Sequence, residues 1–576
     1  MTLPANISQK FDYLIVGAGT AGTTLAAKLS ENPNITVGLI EAGEYVTDMT
    51  DITVPGMAKK VRGNERIDWN FYTTSQVGCN GRKIVQPRGK LVGGSSGINY
   101  MVMGRGSREE YDALEALGNP GWNWNSLLPY MEQIEGSPEL PPQLAKVYPE
   151  YRRDEHHKTS GLIKTSFPLY FYDLHMSFLN TVHKLGVPIN LDPGNGVNWG
   201  ALTGLNSIDP QTATRSYAAT AFYEPNASRK NLVLFANTRA TKVVFESENG
   251  ALVATGVQVI SDGDLCILSG GKEVILAAGS FGSPQLLELS GVTLNAEDHC
   301  FTPFVYEISN QYETLEVLGD PERFQQELKL QWCYADKSPI NQSFLTYTFS
   351  QEFQQGMLTS LHSMYSYLPL DKVMSKEELA LFLQQLNQDI GDADVFNQKK
   401  LGFIKEWIQT GKHAQIDPNF KAKENTHYHT ILTGLLHPLS KGSSHIASSD
   451  PLVHPNIDPG YLKNPLDVQA LVAGLRFCER IIGTAPYADA ILKDNEKIEA
   501  FVREKVQPFH HQVGTASMLP QADGGVVDYN LKVYGTRNLR VVDASILPLE
   551  VSHHIQETVY AVALKAADLI ISDSDK

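Results

Sequence analysis

An α/β architecture is predicted for this 576-residue chain by three patterns. A strand, a glycine turn, a helix and a second strand follow one another near the front. A glycine- and serine-rich loop occupies 86–99, and strand-to-helix passages recur around 273–292 and 539–570.

The front unit is the most informative. Tyr13–Val16 reads as a short buried strand, and Gly17-Ala18-Gly19-Thr20-Ala21-Gly22 follows at once. A small-residue helix is expected over Thr23–Ser30, then a second apolar strand, Ile35–Ile40, ending in Glu41. Gly17 permits the tight turn, Gly19 lets the backbone approach a pyrophosphate at the helix N-terminus, and Gly22 allows helix and strand to pack closely. Glu41 stands about 20 residues on, where a carboxylate accepts hydrogen bonds from a ribose diol and disfavours a 2′-phosphate. An ADP-containing dinucleotide fits this unit and NADP does not. The unit by itself does not separate NAD from FAD.

Composition narrows the class. The chain is 42% hydrophobic and 19% charged, without polar tracts or repeats, so it is globular over most of its length. Lys+Arg 48 against Asp+Glu 64 gives a net charge of −16, which repels phosphate backbones and anionic lipid and argues against nucleic acid as a partner. The five cysteines (Cys79, Cys266, Cys300, Cys333, Cys478) are scattered and odd in number, fitting neither a disulfide framework nor a zinc cluster, and no metal site is expected. With no signal-like segment, no run of about 20 apolar residues and no peroxisomal tripeptide, the expectation is a cytoplasmic protein without membrane insertion. A mature secreted form reads the same way.

The loop Gln86-Pro87-Arg88-Gly89-Lys90-Leu91-Val92-Gly93-Gly94-Ser95-Ser96-Gly97-Ile98-Asn99 interleaves apolar residues with glycines, as a loop pressed on a rigid partner does and a flexible linker does not. Here the chain resembles the glucose-methanol-choline (GMC) oxidoreductases, whose first signature has this form. Asp68-Trp69-Asn70-Phe71, Gly104-Arg105-Gly106-Ser107 and Asn119-Pro120-Gly121-Trp122 are similar to family segments. So are Gly279–Val292, after an expected strand Glu273–Ala277, and the C-terminal run from His511-Gln512-Val513-Gly514-Thr515 through the strand Leu539–Val542 and Asp543-Ala544-Ser545 to a helix over Tyr560–Ile570.

That resemblance implies an α/β, Rossmann-like FAD-binding domain assembled from discontinuous segments (1–160, 210–292, 505–576). An α+β substrate domain with an antiparallel sheet would come from 161–209 and 293–504, and within it 375–408 reads independently as amphipathic helix. It also implies FAD as cofactor, with contacts at Gly17, Gly19, Thr20, Ala21, Gly22, Glu41, Trp69, Arg88, Gly93, Ser96, Asn99, Val243, Ala278, Asp543, Ala544, Ile555 and Gln556. Asn99 reads equally well as a turn residue.

The implied reaction converts an alcohol to an aldehyde or ketone by hydride transfer to flavin N5, with O₂ or another acceptor taking the electrons. His511 occupies the position of the family's catalytic base, and an imidazole titrating near 6.5 suits proton removal at neutral pH. His510 is the alternative. The second active-site position, counted back from Tyr560, is His554 rather than His553, although one of that pair also reads as a helix cap. The positive N-terminal end of the following helix, near Ile555-Gln556, would stabilise negative charge on the reduced flavin.

The chain departs from the family after Ser290-Gly291. The motif's final glycine is Thr293, and most of a connecting segment is missing before Asp298-His299. Two further readings follow, a non-redox lyase or cyclase on the same fold and an inactive relative that no longer binds FAD. Phe344, Tyr347, Phe349, Phe353 and Tyr365 are candidates for lining an aryl-alcohol site or for core. Analogy favours a small aryl, furan or polyketide-derived alcohol of secondary metabolism.

Overall fold

The computed structural model describes residues 10–136, 160–168, 174–192, 194–291, 300–308, 364–411, 416–421, 428–492 and 498–574, with short stretches at 140, 145–146, 157–158 and 322–323. The departure from the family pattern at 292–299, and Phe344, Tyr347, Phe349 and Phe353, lie outside the described residues.

The front unit forms β1 (Lys10–Val16), α1 (Thr20–Leu29) and β2 (Val37–Ile40). The helix starts three residues before the sequence expectation, because the turn residues Thr20, Ala21 and Gly22 already carry helical geometry. Next in the chain come β3 (Leu232–Phe235), β4 (Thr238–Glu248), β5 (Ala251–Ser261) and β6 (Asp264–Leu276). Helix α2 (Gly279–Leu289) follows, and the C-terminus adds β7 (Leu539–Val541) and α3 (Gln556–Ser574).

One seven-stranded sheet joins these strands in the order β3-β2-β1-β6-β5-β4, with β7 also on β6. Strand β6 serves two functions. Its first half pairs antiparallel with β5, and its last residues, Val274–Leu276, lie parallel between β1 and β7. The parallel core is therefore assembled from residues near 10, 40, 235, 275 and 540. All of β2 and most of β1 are buried, as continuous apolar strands of a parallel sheet should be. Helix α1 packs along α3, whose Ala561, Ala563, Ala566 and Ala567 are buried and keep that approach close.

A second, antiparallel sheet is built on Cys300–Ile308, flanked on one side by Tyr428–Leu435 and then Ile416–Lys421. On its other side it carries Ile491–Leu492 and Gln507–Pro508. The last pair matters for function, because the next residues are Phe509-His510-His511. A further ladder sets Gly200–Thr203 against Met364–Tyr367.

The amphipathic helical reading of 375–408 is realised as two helices, Lys376–Asp392 and Val395–Thr410. The break has a local cause. Ala393 and Asp394 are extended, and the Asp394 carboxylate caps the second helix by accepting from Asn397 N at 2.9 Å. Among the described residues no helix is long and apolar enough to cross a membrane.

Candidate cofactor cradle and active site

Gly17 has φ +101°, and a Cβ there would press into the Ala277 carbonyl at the end of β6. At Gly22 a Cβ would overlap the Gly17 carbonyl oxygen. The turn therefore folds on itself with no room for side chains. The second loop docks directly on it, since Gly93 N donates to Ala18 O at 2.7 Å and a Cβ on Gly94 would lie 2.6 Å from Gly19 Cα. Leu91, Val92 and Ile98 are buried beneath, and Gly94–Gly97 makes a tight turn, so the loop is pressed on a rigid partner as its composition predicts. Bare backbone on both sides at a helix N-terminus is a cradle suited to a diphosphate, and the residues present fit a dinucleotide.

Glu41 is buried just after β2. Its two carboxylate oxygens accept from Ala18 N and Gly43 N, each at 2.9 Å. Burial outweighs these bonds and pushes the carboxyl up to about 7. Thr20 O accepts from Thr24 Oγ1 at 2.8 Å, and Ala21 is buried within α1. Ser96 Oγ donates to Gly93 O at 2.5 Å, bracing the second loop from within.

Asp543, at the end of β7, accepts from Gly279 N and Ser283 Oγ with one oxygen and from Ser545 with the other. It thereby joins Ala278 and the start of α2 to the turn beginning at Ala544. Its oxygens are occupied by protein donors, and burial holds its carboxyl above the usual range. Val243 N donates to Ser290 Oγ at 3.0 Å while the Val243 side chain is fully buried, which ties β4 to α2. Trp69 stacks on Phe71 with ring centroids 5.7 Å apart, with the Arg239 guanidinium 5.1 Å from its ring.

Asn99 joins the second loop to the start of α3. Its Nδ2 donates to Gln556 Oε1, and its Oδ1 accepts from Met101 N and from Arg215, both at 2.9 Å. Ile555 is half-buried against the core, and its carbonyl accepts from Val559 N at 3.0 Å in the first turn of α3.

The two histidines meet. The rings of His511 and His554 have centroids 4.8 Å apart at an interplanar angle of 74°. They come from opposite directions. His511 arrives from the sheet edge at Gln507–Pro508, and His554 from the loop that enters α3. His510 has φ +67°, a left-handed turn that points consecutive side chains apart. Its ring lies 3.4 Å from Arg62 Nη1, and its carbonyl accepts from Arg88 Nη2 at 2.7 Å. Arg88 thus sits under the histidine turn, with Phe281 on its other side at 5.3 Å.

His553 points elsewhere. It is buried where Gly104 has no side chain, since a Cβ there would be 2.5 Å from its Cε1, and it packs against Tyr367. Burial lowers its imidazole to about 4, so it is neutral at working pH and acts as a packing residue.

Several contributors were not singled out from the sequence. The Phe509 ring stacks on His511 at 5.7 Å and meets His554 edge-on at 6.0 Å. Gly434 makes room for it on the antiparallel sheet, as a Cβ there would overlap the ring. Tyr365, named from the sequence as lining or core, is buried and lies 6.0 Å from the His554 ring. Glu110 Oε2 accepts from Ser107 N and from Ser552 N, both at 2.9 Å, and Asn198 Nδ2 donates to Ser552 O, fixing the loop that carries His554. The aromatic flank of the His510-His511 pair was the one local signal available.

The chain is similar to known proteins over most of its length. Family models described as GMC oxidoreductase match residues 11–310 and 438–563. A dehydrogenase of Monascus purpureus is 32% identical, the match covering 98% of this chain and 97% of that protein. A GMC oxidoreductase family protein of Malassezia sympodialis is 31% identical over 98% and 93%. Among solved structures, an FAD-dependent oxidoreductase from Chaetomium thermophilum superposes with TM-score 0.87 at 26% identity, covering 98% of this chain and 100% of its own. A fungal aryl-alcohol oxidase shares the fold, with TM-score 0.84 at 24% identity, covering 99% and 100%. The chain belongs to the GMC oxidoreductase family, and FAD is its cofactor.

Proposed function

We propose that the protein oxidises a small alcohol to an aldehyde or ketone, with His511 as the base and His554 orienting the substrate oxygen. The observation that carries this reading is the perpendicular pair of imidazoles 4.8 Å apart. Two imidazoles brought edge to face from different loops are close enough for both to reach one substrate oxygen, one removing its proton while the other fixes its position. When bound, FAD supplies the acceptor for the hydride that leaves the carbinol carbon. His511 takes the hydroxyl proton at a ring nitrogen, so the C–O bond gains double-bond character as the hydride departs. Helix α3 begins two residues after His554, and the positive end of its dipole favours negative charge near that terminus.

The substrate class we propose is an aryl or comparably flat alcohol. Phe509 and Tyr365 set aromatic faces around the imidazole pair, and flat rings pack on such faces in offset or edge-on contacts. O₂ or another acceptor would reoxidise the cofactor, and secondary metabolism, the setting expected from the sequence, belongs to the same proposal. So do the assignments of Gly17, Gly19, Gly22, Gly93 and Ser96 to the diphosphate cradle, and the division into an FAD part and a substrate part.

The test is anaerobic addition of an aryl-alcohol panel to the FAD-loaded protein. Bleaching of the visible flavin bands, lost in His511→Asn and retained in His510→Asn, is expected. Absence of bleaching with every alcohol, with FAD fully bound, would overturn the reading.

A further inference from the structure

Among the described residues three arginines are buried almost completely, and two of them have carboxylates at hand. Arg105 pairs with Glu135 at 2.8 Å and with Glu557 at 2.6 Å. Arg540 pairs with Glu273 at 2.6 Å and with Asp573 at 2.7 Å. The third, Arg215, is 2% exposed and has no carboxylate partner among the described residues.

Its donors reach neutral oxygens. Arg215 Nε donates to Ile52 O at 2.8 Å, and Nη1 to Ser96 O at 3.1 Å, Asn99 O at 2.9 Å and Asn99 Oδ1 at 2.9 Å. Nη2 is buried with no hydrogen-bond partner. Carbonyl dipoles solvate a guanidinium in part, but the interior is left with a full positive charge and an idle donor, an arrangement that is costly unless an anion completes it. Burial accordingly lowers the guanidinium to about 10, with the phenols of Tyr217 and Tyr560 pulling weakly the other way.

The oxygens that Arg215 grips identify the anion. Ser96 and Asn99 belong to the loop whose glycines press on the Gly17–Gly22 turn, and Asn99 is the residue that meets Gln556 at the start of α3. The charge is therefore bonded to the loop that forms one wall of the cradle. FAD is anionic at its diphosphate, and it gains further negative charge at its ring on reduction.

We propose that Arg215 is a fixed interior cation whose countercharge is bound FAD, so that cofactor retention depends on its charge and not only on its grip on the loop. The role is positioning and electrostatic, separate from proton transfer at His511.

The test compares Arg215→Lys, which keeps the charge, with Arg215→Gln, which keeps a donor and loses the charge. FAD and ADP affinities of the cofactor-free proteins are measured by titration, alongside their unfolding temperatures. The expected result is that Arg215→Gln binds FAD about tenfold or more weakly than Arg215→Lys, while the two cofactor-free variants unfold at similar temperatures. A matching loss for ADP places the countercharge at the diphosphate, and a loss for FAD alone places it at the ring. Equal FAD affinity of the two variants would overturn the proposal, leaving Arg215 as a neutral brace for the loop. Failure of both variants to fold, with FAD rescuing neither, would overturn it as well.

Discussion

The glycine cradle is backbone laid on backbone, whereas the histidine site is ring laid on ring. At the cradle, Gly17, Gly22 and Gly94 sit where any Cβ would collide with main-chain atoms, so cofactor shape is specified by the absence of side chains. At the histidine site Phe509, His511, His554 and Tyr365 contact one another through faces and edges, with Gly434 behind Phe509 and Gly204 behind Tyr365 making room for the rings. A backbone site tolerates almost no substitution and fails by losing its ligand. A ring site tolerates substitution without unfolding and fails by losing its chemistry.

The sharpest way to separate the two is at His511. His511→Asn removes the proposed base and leaves every cradle contact in place, so kcat is expected to fall by about 10²–10⁴ with FAD still bound. Stopped-flow reduction together with the visible spectrum reads both quantities at once. If the cofactor leaves along with the activity, the two sites are not independent and the contrast breaks.

Gly22→Ala makes the converse cut. The added methyl would overlap the Gly17 carbonyl oxygen, forcing α1 away from β1 at a cost of about 3 kcal/mol by analogy with overpacked cores. Denaturant unfolding should show that loss, and the purified protein should be pale. A variant that stays yellow and loses only activity would mean that the cradle has slack its geometry does not show.

A subtler effect belongs to Glu41. Its carboxyl is raised in the folded protein to about 7 by burial and titrates in the ordinary carboxylate range when unfolded. Between roughly pH 4.5 and 7 the folded state holds the extra proton, so the stability of the cofactor-free protein is expected to fall as pH rises through that window. Glu41→Gln should flatten the slope, measured as unfolding temperature against pH. A slope unchanged by the substitution would assign it to other buried acids such as Asp467, which burial raises to about 6.

The same contrast explains how much was legible in the sequence. The cradle could be read because a glycine turn, its helix and its acid lie within one short stretch, and close approach excludes other residue types at Gly17 and Gly22. The histidine site could be read only in part. His511 and His554 came from a resemblance, but nothing local shows that Gly434 clears space for Phe509, or that Asn198 holds Ser552 from 354 residues away. Arg215 is illegible for the same reason, since a single arginine in the sequence carries no sign that it will be buried without a carboxylate. Periodicity gives the helical character of 375–408 but not its break, where a polar side chain overrides it. The apolar rhythm continues through 375–408, yet Asp394 ends one helix and caps the next.

That cap supplies the smallest test and a control on the others. Asp394 is exposed and accepts from Asn397 N at 2.9 Å, and that backbone bond holds its carboxyl below the ordinary range. A carboxyl lowered on folding stabilises the native state above its unfolded pKa, and that contribution is lost as pH falls through the folded value. Asp394→Ala is expected to cost about 1 kcal/mol near neutral pH and progressively less in acid, as read by urea unfolding. Because the helix start lies in neither the cradle nor the imidazole pair, kcat and FAD content should not move. A fall in kcat would show that the Val395–Thr410 helix, whose Trp407 ring lies 5.0 Å from the His437 ring, transmits strain into the ring-built site. The backbone-built cradle, having no side chains to shift, should then still hold its cofactor.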